Sequence, residues 1–123
     1  MSLLTGGKKS MDCIFCKIAA REIPASEVYR DEHVVAFNDT NPQAPVHVLV
    51  IPTRHLEHLQ ATSAEDAEIL GRVLATIPAV AEKVGLADEG YRVVNNCRES
   101  AGQTVFHLHF HLLGGRTFSW PPG

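Results

Sequence analysis

Three histidines at alternate positions, His107, His109 and His111, stand inside an apolar run from Val105 to Leu113. Residues i, i+2 and i+4 of a strand share a face. The run therefore predicts a strand over Val105–Leu113 that presents three imidazoles about 7 Å apart on one side. Leu108, Phe110 and Leu112 take the other side and face a core. A buried row of imidazoles costs free energy unless each ring finds a partner, so the fold must close a polar site over one face of an inner strand. An exposed His-rich edge strand, or a fortuitous metal-binding row, is the plainer alternative. The apolar flanks argue against both.

The other elements follow from periodicity. Ile14 to Arg21 reads as a short helix with Ile14, Phe15 and Ile18 on one side, ended by Pro24. Glu27–Arg30 and His33–Phe37 read as strands, followed by the turn signal Asn38-Asp39-Thr40-Asn41-Pro42. Val46–Ile51 is apolar on both faces apart from His47, a pattern that requires cover on both sides. Ser63-Ala64-Glu65-Asp66 has the form of a capping box. It opens a helical stripe of Ile69, Leu70, Val73, Leu74, Ile77, Val80 and Val84, with a kink expected at Pro78 and a stop at Gly85. Tyr91–Asn95 is the remaining strand. Five strands, one long helix and one short helix, without repeated βαβ units, indicate an antiparallel α+β fold.

Length and composition bound the function. At 123 residues with 45% hydrophobic and 20% charged residues, the chain suits one globular domain, placed at residues 12–123. Residues 1–11 read as a disordered leader or a cloning remnant, with Met11 as a natural start. A net charge of −3 provides no general attraction for a nucleic-acid backbone. No apolar run approaches the roughly 20 residues of a membrane span. Three cysteines and no secretion signal speak against a disulfide framework and for a cytoplasmic setting. Cys97 reads as a free, partly buried thiol, and His33 and His58 as surface residues.

Imidazoles in such a row can attack phosphorus to form a covalent intermediate, donate to phosphate oxygens, and move the proton of a leaving group. The loop Ser100-Ala101-Gly102-Gln103-Thr104 enters the strand directly. Gly102 permits close backbone approach to a ligand, and Gln103 and Thr104 add side-chain donors. By itself the loop is a weak signal, since a turn serving only chain geometry would look the same.

From Asp12 to Gly123 the chain resembles the histidine triad (HIT) family. Gly102-Gln103-Thr104-Val105-Phe106-His107-Leu108-His109-Phe110-His111-Leu112-Leu113 carries the likeness. Ile23-Pro24-Ala25, Asn41 to His47 and Ile51-Pro52-Thr53-Arg54-His55 support it. The ending Gly114-Gly115-Arg116 … Trp120-Pro121-Pro122-Gly123 is similar to that of the nucleoside phosphoramidase branch. The resemblance implies a five-stranded antiparallel sheet paired across a two-fold axis into a homodimer. It implies hydrolysis of purine nucleoside 5′-phosphoramidates, and of related nucleotides with thioester or mixed-anhydride leaving groups.

It also implies residue roles. His109 is the nucleophile, His111 contacts the α-phosphate, and His47 supports the proton relay. Asn96, Gln103 and Thr104 surround the phosphate, with Thr104 where Ser is common. Asp39 accepts from the ribose hydroxyls, although by pattern alone it reads as an Asx-turn residue. Ile14, Phe15, Ile18 and Phe37 wall the base pocket, although by pattern alone they read as core. Trp120 reaches the partner's site. Thr40 and Thr117-Phe118-Ser119 depart from the family pattern, which bears on leaving-group preference.

Cys13-Ile14-Phe15-Cys16 is half of a zinc site, with a redox pair or two structural thiols equally open. Two further ligands are needed, and His55 and His107 are the best candidates. Bacterial-type members of the resembled family use such a Cys, Cys, His, His set. The zinc would be structural, stapling the N-terminal helix to the sheet, with no cofactor needed for hydrolysis. Competing readings are a dinucleoside polyphosphate hydrolase, a non-catalytic nucleotide-binding scaffold and a zinc-binding interaction module.

Overall fold

The computed structural model describes residues 12–123, so the reading of residues 1–11 lies outside the described residues. The strands are β1 (Glu27–Arg30), β2 (Val34–Asn38), β3 (Val46–Pro52), β4 (Tyr91–Val94) and β5 (Phe110–Gly114). They form one antiparallel sheet in the order β1-β2-β3-β5-β4. Two helices, α1 (Ile14–Ala19) and α2 (Ala67–Lys83), accompany it. No described helix is long and apolar enough to cross a membrane.

The sheet has a separate core on each face, which explains why β2 and β3 are apolar at nearly every position. Val34, Ala36, Val48, Val50 and Leu112 pack with Val73, Ile77 and Val80 of α2. Val35, Phe37, Leu49 and Ile51 pack with Cys13, Phe15, Cys16 and Ile18 from α1 and its N-cap. His47 alternates with Val46 and Val48 and so belongs to the α1 face of the central strand.

The last strand is shorter than its sequence suggests: it covers Phe110–Gly114 rather than Val105–Leu113. Register explains this. Val50 opposite Phe110 is the last pair between β3 and β5, and two positions on stands Pro52, which has no N–H to donate. The Leu108 N–H bonds instead to the Leu56 carbonyl at 2.6 Å. On the β4 side, the Asn95 side chain donates to the His109 carbonyl at 2.9 Å. The alternation nonetheless persists, with Leu108, Phe110 and Leu112 all in the α2 core.

Three local signals have the expected chemistry, with differences. The capping box is formed: Ser63 Oγ accepts from the Glu65 N–H and Asp66 Oδ2 from the Ser63 N–H. It caps a short 3₁₀ turn that leads into α2. α2 continues through Pro78 as one helix, where the sequence predicts a kink. The carbonyl left without its helical donor is that of Leu74, which lies on the solvent side of α2, 49% exposed, and not in the core stripe. Helix α1 stops at Ala20, before Pro24 is reached, in a Schellman arrangement with Arg21 at φ 62. The Glu22 N–H reaches the Lys17 carbonyl and the Arg21 N–H reaches that of Ile18.

Gly114 and Gly115 end β5 where no side chain fits. A Cβ on Gly114 would fall 2.5 Å from Leu86 Cδ2. Gly115 has φ +91, and its Cβ would fall 2.8 Å from the rigid ring of Pro45. Substitution Gly115→Ala should therefore lower unfolding free energy by about 1–3 kcal/mol, read as a shifted urea midpoint at unchanged slope.

A histidine-lined cavity beside a cysteine–histidine cluster

On the α1 face lies a cavity of about 650 Å³, within the range of small-molecule sites. One half is apolar, walled by Ile14, Phe15, Ile18, Ile23, Phe37 and Leu49; the other half presents Asp39, His47, Gly102, Thr104, His109 and His111. Ile14 is 48% exposed, at the rim, whereas Phe15, Ile18 and Phe37 are buried. The sequence readings of these residues as core and as pocket wall thus describe the same side chains.

Each cavity histidine has one ring nitrogen committed to the protein, and that determines what the other can do. His109 Nδ1 lies 2.8 Å from the His107 carbonyl. A carbonyl only accepts, so Nδ1 carries the proton and Nε2 holds the lone pair. His47 Nδ1 accepts from the Gln43 backbone N–H at 3.0 Å, which places its own proton on Nε2. That Nε2–H faces His111 Nδ1 at 2.9 Å and Asp39 Oδ2 at 3.4 Å. His111 therefore accepts at Nδ1 and carries its proton on Nε2. One ring is set up as a nucleophile and its neighbour as a donor, with ring centroids 5.0 Å apart.

Asp39, His47 and His111 bring potential ligand atoms within 4.8 Å of one another. A metal there would need the Nε2 lone pair of His47, which the Gln43 bond has converted to an N–H. Instead, His47 and His111 are hydrogen-bonded to each other, with the Asp39 carboxylate 3.4 Å from His47 Nε2. Asp39 also closes an Asx turn, with Oδ1 accepting from the Asn41 N–H at 2.8 Å. One oxygen shapes the turn and the other faces His47.

Burial lowers the pKa of all three rings. It pushes His111 down to about 4, helped by His109 and His47 and opposed by Asp39. His109 is lowered by burial, against the His107 carbonyl and Asp39. His47 is lowered by burial, against Asp39. All three are neutral near pH 7.

His107 points elsewhere. It is fully buried and gives Nε2–H to the Pro52 carbonyl at 2.9 Å. That leaves the Nδ1 lone pair 3.3 Å from Cys13 Sγ, 3.5 Å from Cys16 Sγ and 3.2 Å from His55 Nδ1, while His55 Nδ1 lies 3.2 Å from Cys16 Sγ. Zinc bonds of about 2.0–2.1 Å to nitrogen and 2.3 Å to sulfur, at tetrahedral angles, require N···N near 3.3 Å and N···S near 3.5 Å. The donor set and its spacing fit such an ion, and the Pro52 carbonyl provides the outer bond that fixes the His107 tautomer.

The phosphate-loop candidates divide. Thr104 and Gly102 line the cavity, and Gly102 takes φ +101. Gln103 does not line it. Its buried side chain accepts from the Arg98 N–H at 2.7 Å and donates to the Glu57 and Val105 carbonyls, which holds the loop in shape. Asn96 is half-buried behind the loop; a Cβ on Gly102 would stand 3.9 Å from its Nδ2. Trp120 is 80% exposed and outside the cavity.

Other residues were not legible as site components. Asn95 acts on a main-chain carbonyl and Gln43 through its main-chain N–H, contacts for which sequence carries no signal. Arg98 adopts φ 73 and ψ 175, a conformation costing about 1–3 kcal/mol for a residue with a Cβ. Its Nε–H reaches His58 Nε2 at 3.4 Å, so His58 is buried beneath the loop and is not a surface residue. His33 is half-exposed beside Glu32, and Cys97 is a half-buried free thiol.

The HIT domain family model matches residues 20–118. A HIT-like protein of Synechocystis is 55% identical over 112 residues, covering 91% of this chain and 97% of that protein. The purine nucleoside phosphoramidase of Escherichia coli is 46% identical over 105 residues, covering 85% of this chain and 88% of that enzyme. Among solved structures, a HIT family hydrolase from Legionella pneumophila superposes with a TM-score of 0.89 at 46% identity, covering 91% of this chain and 100% of that one. With the fold, the histidine row and the family match in agreement, the chain belongs to the histidine triad family.

Proposed function

We propose that this protein hydrolyses purine nucleoside 5′-phosphoramidates through a nucleotidyl intermediate on His109. The observation that carries this reading is the pair of fixed tautomers: His109 with a free Nε2 lone pair and His111 with an Nε2–H, side by side in a cavity with an apolar half sized for a base. The base packs against Ile14, Phe15, Ile18 and Phe37, and Asp39 accepts from the ribose. Thr104 and the Gly102 backbone lie at the phosphate, with Gln103 and Asn96 supporting them.

His109 Nε2 attacks phosphorus and the phosphorus–nitrogen bond breaks. His111 Nε2–H, oriented by His47, donates to the departing amine, which takes up a proton from water as it leaves. The hydroxide so formed attacks phosphorus and the bond from phosphorus to His109 Nε2 breaks, which restores the neutral ring and releases the nucleoside monophosphate. Cys13, Cys16, His55 and His107 would hold a structural zinc ion, which supplies cross-linking of α1 to the sheet and takes no part in proton movement.

A homodimer is part of the same reading. β4 is a free sheet edge carrying the half-exposed Tyr91 and Val93, a surface suited to pairing with another copy. Exposed Trp120 is free to reach a partner's cavity. The E. coli relative's phosphoramidase activity supports the substrate class, and a cytoplasmic setting goes with it.

Two outcomes test the reading. Substitution His109→Ala should cut AMP release from adenosine 5′-phosphoramidate by more than about 10³-fold while leaving the circular dichroism spectrum intact; retained turnover refutes the nucleophile. The second concerns pH. Because His111 is held down to about 4 by burial, with His109, His47 and Asp39 around it, the unfolded chain binds its proton first as pH falls from about 6.5. Stability should then decline between about pH 6.5 and 4, and His111→Asn should flatten that slope in thermal melts.

A further inference from the structure

We propose that the Cys13/Cys16/His55/His107 centre is an effector site for the nucleotide cavity, with Phe15 as the positioning residue that couples them. The inference rests on the cavity being a nucleotide site. Phe15 lies between the two cysteines in the first turn of α1. Cys13 is the helix N-cap, its Sγ accepting from the Cys16 N–H at 3.3 Å, so where the sulfurs sit determines where the helix begins. The Phe15 ring stands edge-on to His107 of the metal-ligand set, with centroids 5.9 Å apart at 72°. It stands edge-on as well to the nucleophile His109, at 5.2 Å and 89°, and to Phe37 of the base wall, at 5.4 Å and 74°. One buried ring thus touches both sites and the pocket wall.

Helix α1 has six residues, too few to hold itself together in water. Its C-terminal end is tied by Arg30, which donates to the Ala19 and Ile18 carbonyls at 2.9 and 3.1 Å. Its N-terminal end is tied to the sheet through the cysteine–histidine cluster and the packing of Phe15 and Ile18. A metal ion joining Cys13 and Cys16 to His55 and His107 fixes the cavity wall and the ring against His109. A nucleotide base packed on Phe15 orders the same helix. Each ligand then pre-orders what the other needs, and thermodynamic linkage makes the effect reciprocal.

The test uses the full chain loaded with one equivalent of Zn²⁺. Zinc release to a chromophoric chelator is timed with and without saturating AMP, and AMP binding is followed by calorimetry in the same samples. AMP should slow release by about fivefold or more. In Phe15→Leu, still zinc-loaded and saturated at higher AMP, the response should shrink to less than about twofold. Phe15→Met, whose flexible unbranched chain can settle into the gap left by the ring, replaces it should Phe15→Leu not fold.

Three results overturn the coupling: no zinc uptake, wild-type release indifferent to bound AMP, or a full response retained without the ring. The last would assign the effect to general stabilisation by ligand. Failure of AMP to bind at all overturns the nucleotide reading itself, whereas binding without an effect on zinc release overturns only the coupling.

Discussion

Backbone groups of this sheet and its flanking loops decide the tautomers of three buried imidazoles, and most of the chemistry follows from that. The His107 carbonyl takes the Nδ1 proton of His109, the Pro52 carbonyl takes the Nε2 proton of His107, and the Gln43 N–H fills Nδ1 of His47. Each bond satisfies one polar atom that burial would otherwise penalise by about 1–3 kcal/mol. Each also leaves a ring nitrogen with a defined character: a lone pair on His109 Nε2, a lone pair on His107 Nδ1 beside the two thiols, and an N–H on His47 Nε2. Histidines one residue apart in the alternation, with the same side-chain chemistry, thereby come to different tasks.

Pro52 has a part in this division that exceeds turn formation. It ends the pairing of β3 with β5, so the segment before Phe110 is released from the ladder. On the other side, β4 pairing stops at Val94 opposite His111, and the carbonyls beyond it become partners for side chains: His109's accepts from Asn95 and His107's from the His109 ring. A strand continued to Val105 would have spent those carbonyls on the neighbouring strands. The loop that follows β4 is organised in the same way, with Gln103 filling main-chain positions around the strained Arg98 so that Gly102 and Thr104 meet the cavity.

The two faces of the sheet divide stability from function. The α2 face is an uninterrupted apolar core. The α1 face gives up part of its apolar packing to a cavity and a cluster of thiols and imidazoles, and among the described residues its helical cover is the six-residue α1. That asymmetry is why cross-linking matters on the α1 side and why the cavity wall and the metal-ligand cluster share residues. Phe15 is core, wall and ring contact at once because so few side chains are available there.

What the sequence determined was pattern. Alternation in His107–Leu113, doubly apolar β3, the Ser63 capping box and the Cys13–Cys16 spacing specified which residues share a face and which elements exist, because those depend on periods of two and 3.6 residues within a few neighbours. The resemblance to the HIT family named Asp39, His47, Thr104, His109, His111 and the apolar wall, which line the cavity, and also Gln103, Asn96 and Trp120, which do not. Only the tertiary structure decided the length of β5, the burial of His58, the exposure of Leu74 and the proton position on each ring. These depend on register against Pro52 and on backbone atoms from segments far apart in the chain, and backbone atoms are the same in every residue, so no side-chain pattern records where they fall.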